Sequence, residues 1–219
     1  MDLPTQLQYY EVRDTLLGRN CVNQDVKRAL ELASTCQHPD ARWLTDIFAG
    51  KDVKTKEDAR DVFLAQGDDD ARALCFLALI DEDEDYVVRE ARLRRSAEMG
   101  FAFAQAELVE WLPEDDEDEK EECFRFASLA ASQGERDGCY FLGRCFSRGV
   151  GCEKNLKEAK KNCMLGSTMG CVFSMDGFGH LHDDSDPQKW HCWGEAAKRG
   201  SPFSFLNGFS RTVNRFKSD

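Results

Sequence analysis

A glycine returns along this chain at the interval of a helix hairpin, and that recurrence restricts the fold more than any other feature. Gly67, Gly100, Gly134, Gly170 and Gly200 are separated by 33, 34, 36 and 30 residues. Four residues after each comes a small side chain: Ala71, Ala104, Gly138, Ser174 and Ser204. A small pair also precedes most of them, as Ser96-Ala97, Ala130-Ala131, Gly166-Ser167 and Ala196-Ala197. A period of this length, with small residues in fixed phase, predicts two-helix units stacked into an array. Such an array presents surface to other molecules and encloses no catalytic pocket of its own.

The clearest hairpin follows Gly134. Residues 138–146 place apolar side chains on one face of a helix, and Gly149 and Gly151 end it at positions suited to left-handed backbone angles. Asn155 is a candidate cap for a second helix from Leu156 to about Thr168, after which Gly170 starts the next unit. The five prolines, Pro4, Pro39, Pro113, Pro187 and Pro202, all fall at predicted helix edges, where a missing N–H costs little.

The motif Leu142-Gly143-x-x-Phe146-x-x-Gly149-x-Gly151, followed by Lys157-Glu158-Ala159 and Gly166-Ser167-x-x-Gly170, resembles a Sel1-like repeat, a relative of the tetratricopeptide repeat. Degenerate copies run from Leu16-Leu17-Gly18 to Gly200, and Gln37 stands where the first unit would carry its glycine. The resemblance implies an all-α fold, a right-handed α-solenoid of about six two-helix repeats with a C-terminal capping helix. The expected units are 1–37, 38–67, 68–100, 101–134, 135–170 and 171–200, with a cap over 201–219, all in a single domain 1–219. An aromatic cluster of Trp190, Trp193, Phe203 and Phe205 is expected to seal the last hairpin against that cap, whose polar face Arg211, Arg215 and Lys217 would supply.

A net charge of −12 without any Lys/Arg-rich run argues against attraction to nucleic acid or anionic lipid. The longest apolar stretch, Ala73 to Ile80, is too short to span a membrane, and residues 1–6 do not read as a signal peptide. Ten cysteines are scattered without a Cys-x-x-Cys pair, and no Asn-x-Ser/Thr site occurs. The expected compartment is therefore reducing: the cytoplasm, or the nucleus as second choice. Cys163 and Cys171 flank one interhelix junction and stay open as either packed thiols or a single bridge.

In related superhelical repeats the first helix of each unit lines the concave face. Carried over by phase, that face takes positions three, six, ten and fourteen residues past each anchor. The candidates are Trp43 and Ile47, then Ala106 and Glu110, then Asp137, Tyr140, Arg144 and Arg148, then Asp176 and His180. Trp43, Tyr140 and Arg144 are preferred, because aromatic and arginine side chains dominate interface energetics. Trp43 and Tyr140 are equally suited to packing between helices. The runs 81–85 and 114–119 fall between the first and second helices of successive units, and Asp183, Asp184 and Asp186 fall in the same connection of the sixth. They read either as solvated loops or as an acidic edge (Asp81, Asp83, Asp85, Asp115, Asp116, Asp118) that attracts a basic partner segment.

The expected function is thus a protein-interaction scaffold or adaptor, not an enzyme, binding a protein or peptide without a cofactor, its oligomeric state open. Two alternatives stand beside it. Some cysteine-rich Sel1-like proteins resemble β-lactamases, but this chain has no Ser-x-x-Lys motif. Cys171, His180, His182, His191 and Cys192 crowd the sixth unit and raise a zinc-stabilised interaction protein, although His180-x-His182 is a weak pair and Cys192 would have to fold back from the second helix.

Overall fold

The computed structural model describes residues 2–18, 24–113, 116–183, 185–199 and 201, and among them every regular element is a helix. The chain divides into two compact units, Met1–Trp111 and Leu112–Asp219. The expected cap over 201–219 lies outside the described residues apart from Ser201, as do Asp115 and Asp184.

The first unit holds α1 (Leu3–Leu17), α2 (Val26–Thr35), α3 (Pro39–Phe48), α4 (Lys56–Leu64), α5 (Ala71–Ile80), α6 (Tyr86–Glu98) and α7 (Ala102–Trp111). Its core is aromatic. The Phe76 ring lies 5.3 Å from Phe63, 6.1 Å from Trp43 and 6.2 Å from Phe103, so one ring joins α5 to α4, α3 and α7. Arg13 of α1 is fully buried, its guanidinium 3.8 Å from the centre of the Phe103 ring and 5.1 Å from that of Tyr10. The rings receive the cation on their electron-rich faces.

The second unit holds α8 (Glu117–Ser132), α9 (Arg136–Arg148), α10 (Leu156–Thr168), α11 (Val172–His180) and α12 (Pro187–Lys198). The predicted hairpin is present as α9 and α10. Gly149 closes α9 at φ 81°, and the Asn155 side chain caps α10 by accepting from the amides of Lys157 and Glu158. Pro4, Pro39 and Pro187 each occupy the first helical turn, where no N–H is missed.

The recurring small residues have one shared cause. Gly100, Gly134 and Gly170 adopt φ of 93°, 79° and 80°, a left-handed region that costs glycine nothing. Each N–H donates to the second member of the small pair before it: Ala97 at 3.1 Å, Ala131 at 3.0 Å and Ser167 at 3.0 Å. The amide that follows reaches back to the first member: Phe101 to Ser96 at 3.3 Å, Glu135 to Ala130 at 3.0 Å and Cys171 to Gly166 at 3.0 Å. These are the paired bonds of a left-handed helix C-cap. The residue four past the glycine then crosses that same cap. A Cβ placed on Gly138 would lie 2.5 Å from the Ala130 Cβ and 2.7 Å from the Ala131 amide nitrogen, and one on Gly166 would strike the Ser174 side chain. The period is therefore a repeated C-cap on which the next hairpin rests.

One boundary differs from expectation. The run 114–119 was expected to be an interhelix connection, but α8 begins at Glu117, so Glu117, Asp118 and Glu119 form its first turn. Acidic side chains there complement the positive end of the helix dipole, and Asp116 caps it by accepting from the amides of Asp118 and Glu119.

Candidate interaction surfaces

In the second unit, α9 and α11 expose rings from neighbouring hairpins side by side. The Tyr140 ring is half-buried, its centroid 5.0 Å from Phe141 and 5.7 Å from Phe173, which is 41% exposed. Gly177 lies beside it, where even an added Cβ would stand at an ordinary contact distance of 3.8 Å from the tyrosine edge. Arg144, one helical turn past Tyr140, holds its guanidinium 4.8 Å from the Phe141 ring and 5.8 Å from the Tyr140 ring. Arg148 is exposed at the end of the same helix. Two accessible rings with a guanidinium beside them make a preordered ledge of the side-chain types that carry binding energy.

Other phase-selected positions look inward. Asp137 is buried, with its Oδ1 3.5 Å from Arg136 Nε and accepting the Cys171 thiol at 3.4 Å. Asp176 is buried too. Its carboxylate accepts the Ser201 hydroxyl at 2.6 Å, and its carbonyl accepts the Trp193 indole N–H at 3.3 Å. Burial pushes the Asp176 carboxyl up, against the Ser201 hydrogen bond. His180 is exposed, edge-on to Trp193 at 5.1 Å. In the first unit Trp43 is half-buried between Phe63 and Phe76, with the Arg72 guanidinium 4.7 Å from its ring and its indole N–H donating to Asp70 at 3.0 Å. Ile47 is half-buried, Ala106 is fully buried and Glu110 is exposed.

The loop between α5 and α6 carries the acidic run of the first unit. Asp81 is buried there and paired with Arg60 at 2.6 Å, Glu82 pairs with Lys56 at 2.9 Å, and Glu84 pairs with Arg92. Lys56, Arg60 and residues 80–84 line a cleft of about 370 Å³. Asp83 and Asp85 are exposed and carry no ion pair among the described residues, although Asp85 caps α6 by accepting from the Val87 amide. Much of the run thus closes the loop upon itself, and the outward charge resides on Asp83 and Asp85. Asp116 and Asp118 are exposed at the start of α8.

The cysteines are packing groups. None of the nine described is in a disulfide, and seven of them are buried, Cys163 and Cys171 included. Burial pushes the thiols of Cys139 and Cys163 up to about 12, and that of Cys171 higher still. These thiols stay protonated and unreactive near neutral pH. In the sixth repeat His182 pairs with Asp186, and among the described residues no three His, Cys, Asp or Glu side chains converge as a metal site.

Repeated hairpins joined by left-handed caps define a helical-repeat fold, and solved structures show which one. A protective antigen of uropathogenic Escherichia coli that displays an SLR (Sel1-like repeat) fold matches with a TM-score of 0.64 at 19% identity, over 95% of this chain and 49% of the antigen. A Sel1 repeat protein from Oxalobacter formigenes matches with a TM-score of 0.58 at 19% identity, over 92% of this chain and 64% of its own. The fold is that of Sel1-like repeat proteins, an all-α helical solenoid. No family model matches the sequence. The DAP3-binding cell death enhancer 1 proteins of Mus musculus and Rattus norvegicus are each 31% identical over 78 residues, which is 36% of this chain. That match spans 15% of each relative's length. No helix among the described residues is long and apolar enough to cross a membrane.

Proposed function

We propose that this chain is a protein-interaction scaffold whose principal contact surface is the ledge of Tyr140, Phe173 and Arg144. The observation that carries this reading is the side-by-side exposure of Tyr140 and Phe173 on successive hairpins, their centroids 5.7 Å apart and flanked by a guanidinium. Rings held in place before binding lose little conformational entropy on contact, which favours recognition of a protein or peptide. The helical-repeat fold supports the same role, and the mammalian relatives are named for binding a protein, DAP3. The acidic loops add a second element that attracts basic segments and raises encounter rates. The role is binding and not catalysis, and the nine described cysteines, none in a disulfide, suit a reducing compartment such as the cytoplasm or nucleus.

Affinity capture from a cell lysate, with the native chain and with a Tyr140→Ala/Arg144→Ala variant, tests the proposal. Captured proteins should be lost from the variant while its helical circular dichroism is unchanged. A captured set that is identical for both chains rules out the ledge.

A further inference from the structure

The first turn of α6 breaks the rule that places apolar side chains inward. Tyr86, Val87 and Val88 follow one another at its first three positions and are 53%, 70% and 41% exposed. Consecutive helical residues point about 100° apart, so no single buried face can collect all three. Three exposed apolar residues in a row at a helix start, where acidic residues are favoured, need a reason outside the folding of the helix. The patch is also ordered. Tyr86 stacks on Trp111 with centroids 5.3 Å apart and planes 18° from parallel, and its hydroxyl lies 3.5 Å from the Trp111 carbonyl oxygen. Arg89 holds its guanidinium 5.2 Å from the Trp111 ring while its Nε donates to the Ala78 carbonyl at 2.8 Å.

Charge decides what such a platform accepts. Next to it in sequence stand Asp83 and Asp85, the two carboxylates of the 81–85 run that have no ion pair among the described residues. A second copy of a chain with net charge −12 would bring like charge to them, and an anionic lipid surface would do the same. We propose that Tyr86, Val87, Val88 and Trp111 form a docking platform for a short peptide segment of another protein. That segment carries a bulky apolar side chain flanked by Lys or Arg. The apolar side chain covers Val87 and the exposed face of the Tyr86 ring, and the flanking cations meet Asp83 and Asp85. This rests on the scaffold reading and supplies it with a partner chemistry at a place separate from the Tyr140 ledge.

The test uses the full 15N-labelled chain and two capped pentapeptides, Lys-Leu-Arg-Phe-Lys and its counterpart Glu-Leu-Glu-Phe-Glu. The basic peptide should shift the amides of Val87 and Val88 and the Trp111 indole N–H, and the acidic one should not. Asp83→Lys, on an exposed loop with the platform intact, should weaken the basic peptide about tenfold, and Tyr86→Ser/Val87→Ser by about tenfold or more. Higher salt should weaken it further, because exposed charges are screened. Equal binding of both peptides, or binding that survives Tyr86→Ser/Val87→Ser, overturns the proposal. So does self-association of the free chain that the double substitution abolishes. If the shifts fall on Tyr140 and Phe173, the platform is wrong while the scaffold reading stands. Loss of captured partners on Tyr140→Ala/Arg144→Ala reports on that reading independently.

Discussion

The two units bring helices together in opposite ways. In the second unit close approach comes from absent side chains: Gly138 lies against Ala130, Gly166 against Ser174, and Gly143 against the Cys163 thiol, 2.6 Å from where a Cβ would be. Small thiols such as Cys139, Cys145 and Cys163 fill what remains. In the first unit no glycine stands at the equivalent crossings. Ala71 meets Ser96, whose hydroxyl donates to the Ala71 carbonyl at 2.5 Å, and the space between helices is filled by the rings of Trp43, Phe63, Phe76 and Phe103. One hairpin period is thus compatible with two cores, one held by backbone proximity and one by stacked rings. The first tolerates no added atom and the second tolerates no lost one.

That contrast predicts where each half fails. Phe76 is fully buried and touches rings on three other helices, so Phe76→Ala removes the hub of the aromatic core. A loss of about 3–5 kcal/mol is expected from the vacated volume and contacts. Hydrogen exchange should show it as lost protection in α3–α5 while α9–α10 keep theirs. Equal loss in both units would mean that their cores are not energetically distinct.

Gly138→Ala probes the other device with a single carbon. The new methyl would stand 2.5 Å from the Ala130 Cβ and 2.7 Å from the Ala131 backbone nitrogen, neither of which is the end of a flexible side chain. Overpacking of this kind costs about 1–3 kcal/mol even though alanine is the better helix former. Denaturant unfolding should show a lower midpoint, with α8–α9 amides the first to lose protection. A midpoint equal to or above that of the native chain would show that the crossing can open freely.

These two devices were unequally legible in the sequence. The glycine crossings could be read directly, since left-handed caps and small pairs leave a fixed spacing. The aromatic core has no such period, because Trp43, Phe63 and Phe76 occupy different positions within their repeats. Buried charge was the least readable feature. The apolar pattern does not mark Arg13 as an interior residue, since of the two rings that receive it Tyr10 is local but the nearer, Phe103, lies in α7, and Asp81 is buried because Arg60 of α4 neutralises it. Glu117–Glu119 resembled a loop because a charge run carries no apolar period, yet acids are what a helix start favours. The phase that selects Asp176 and His180 also reaches Phe173, three residues past Gly170, and only burial in the folded chain separates the exposed ring from the inward Asp176.

The smallest expected effect concerns the one histidine stacked into the aromatic half. His38 lies 4.0 Å from the Tyr9 ring and nearly parallel to it, and its Nδ1 accepts from the Asp40 amide at 3.2 Å to cap α3. Burial, and then the positive charge of Arg13, lower its pKa from 6.5 to about 4. Protonation would also turn the capping acceptor into a donor. The folded value is the depressed one, so the unfolded chain takes up this proton first. The stabilisation is complete above pH ~6.5 and falls as the pH is lowered towards 4. Asp40, 3.7 Å away and with its carboxyl raised by burial, acts in the opposite sense in its own titration range, so the clean part of the window is its upper end. At about pH 5.5 the loss should be about 1 kcal/mol relative to pH ~7.5. His38→Asn keeps an acceptor for the Asp40 amide but cannot titrate, and it should flatten the dependence across that interval. Exchange of the α2–α3 amides, measured at both pH values in both chains, checks this. An unchanged slope in the variant would assign the sensitivity to another group and remove the histidine from the aromatic core's account.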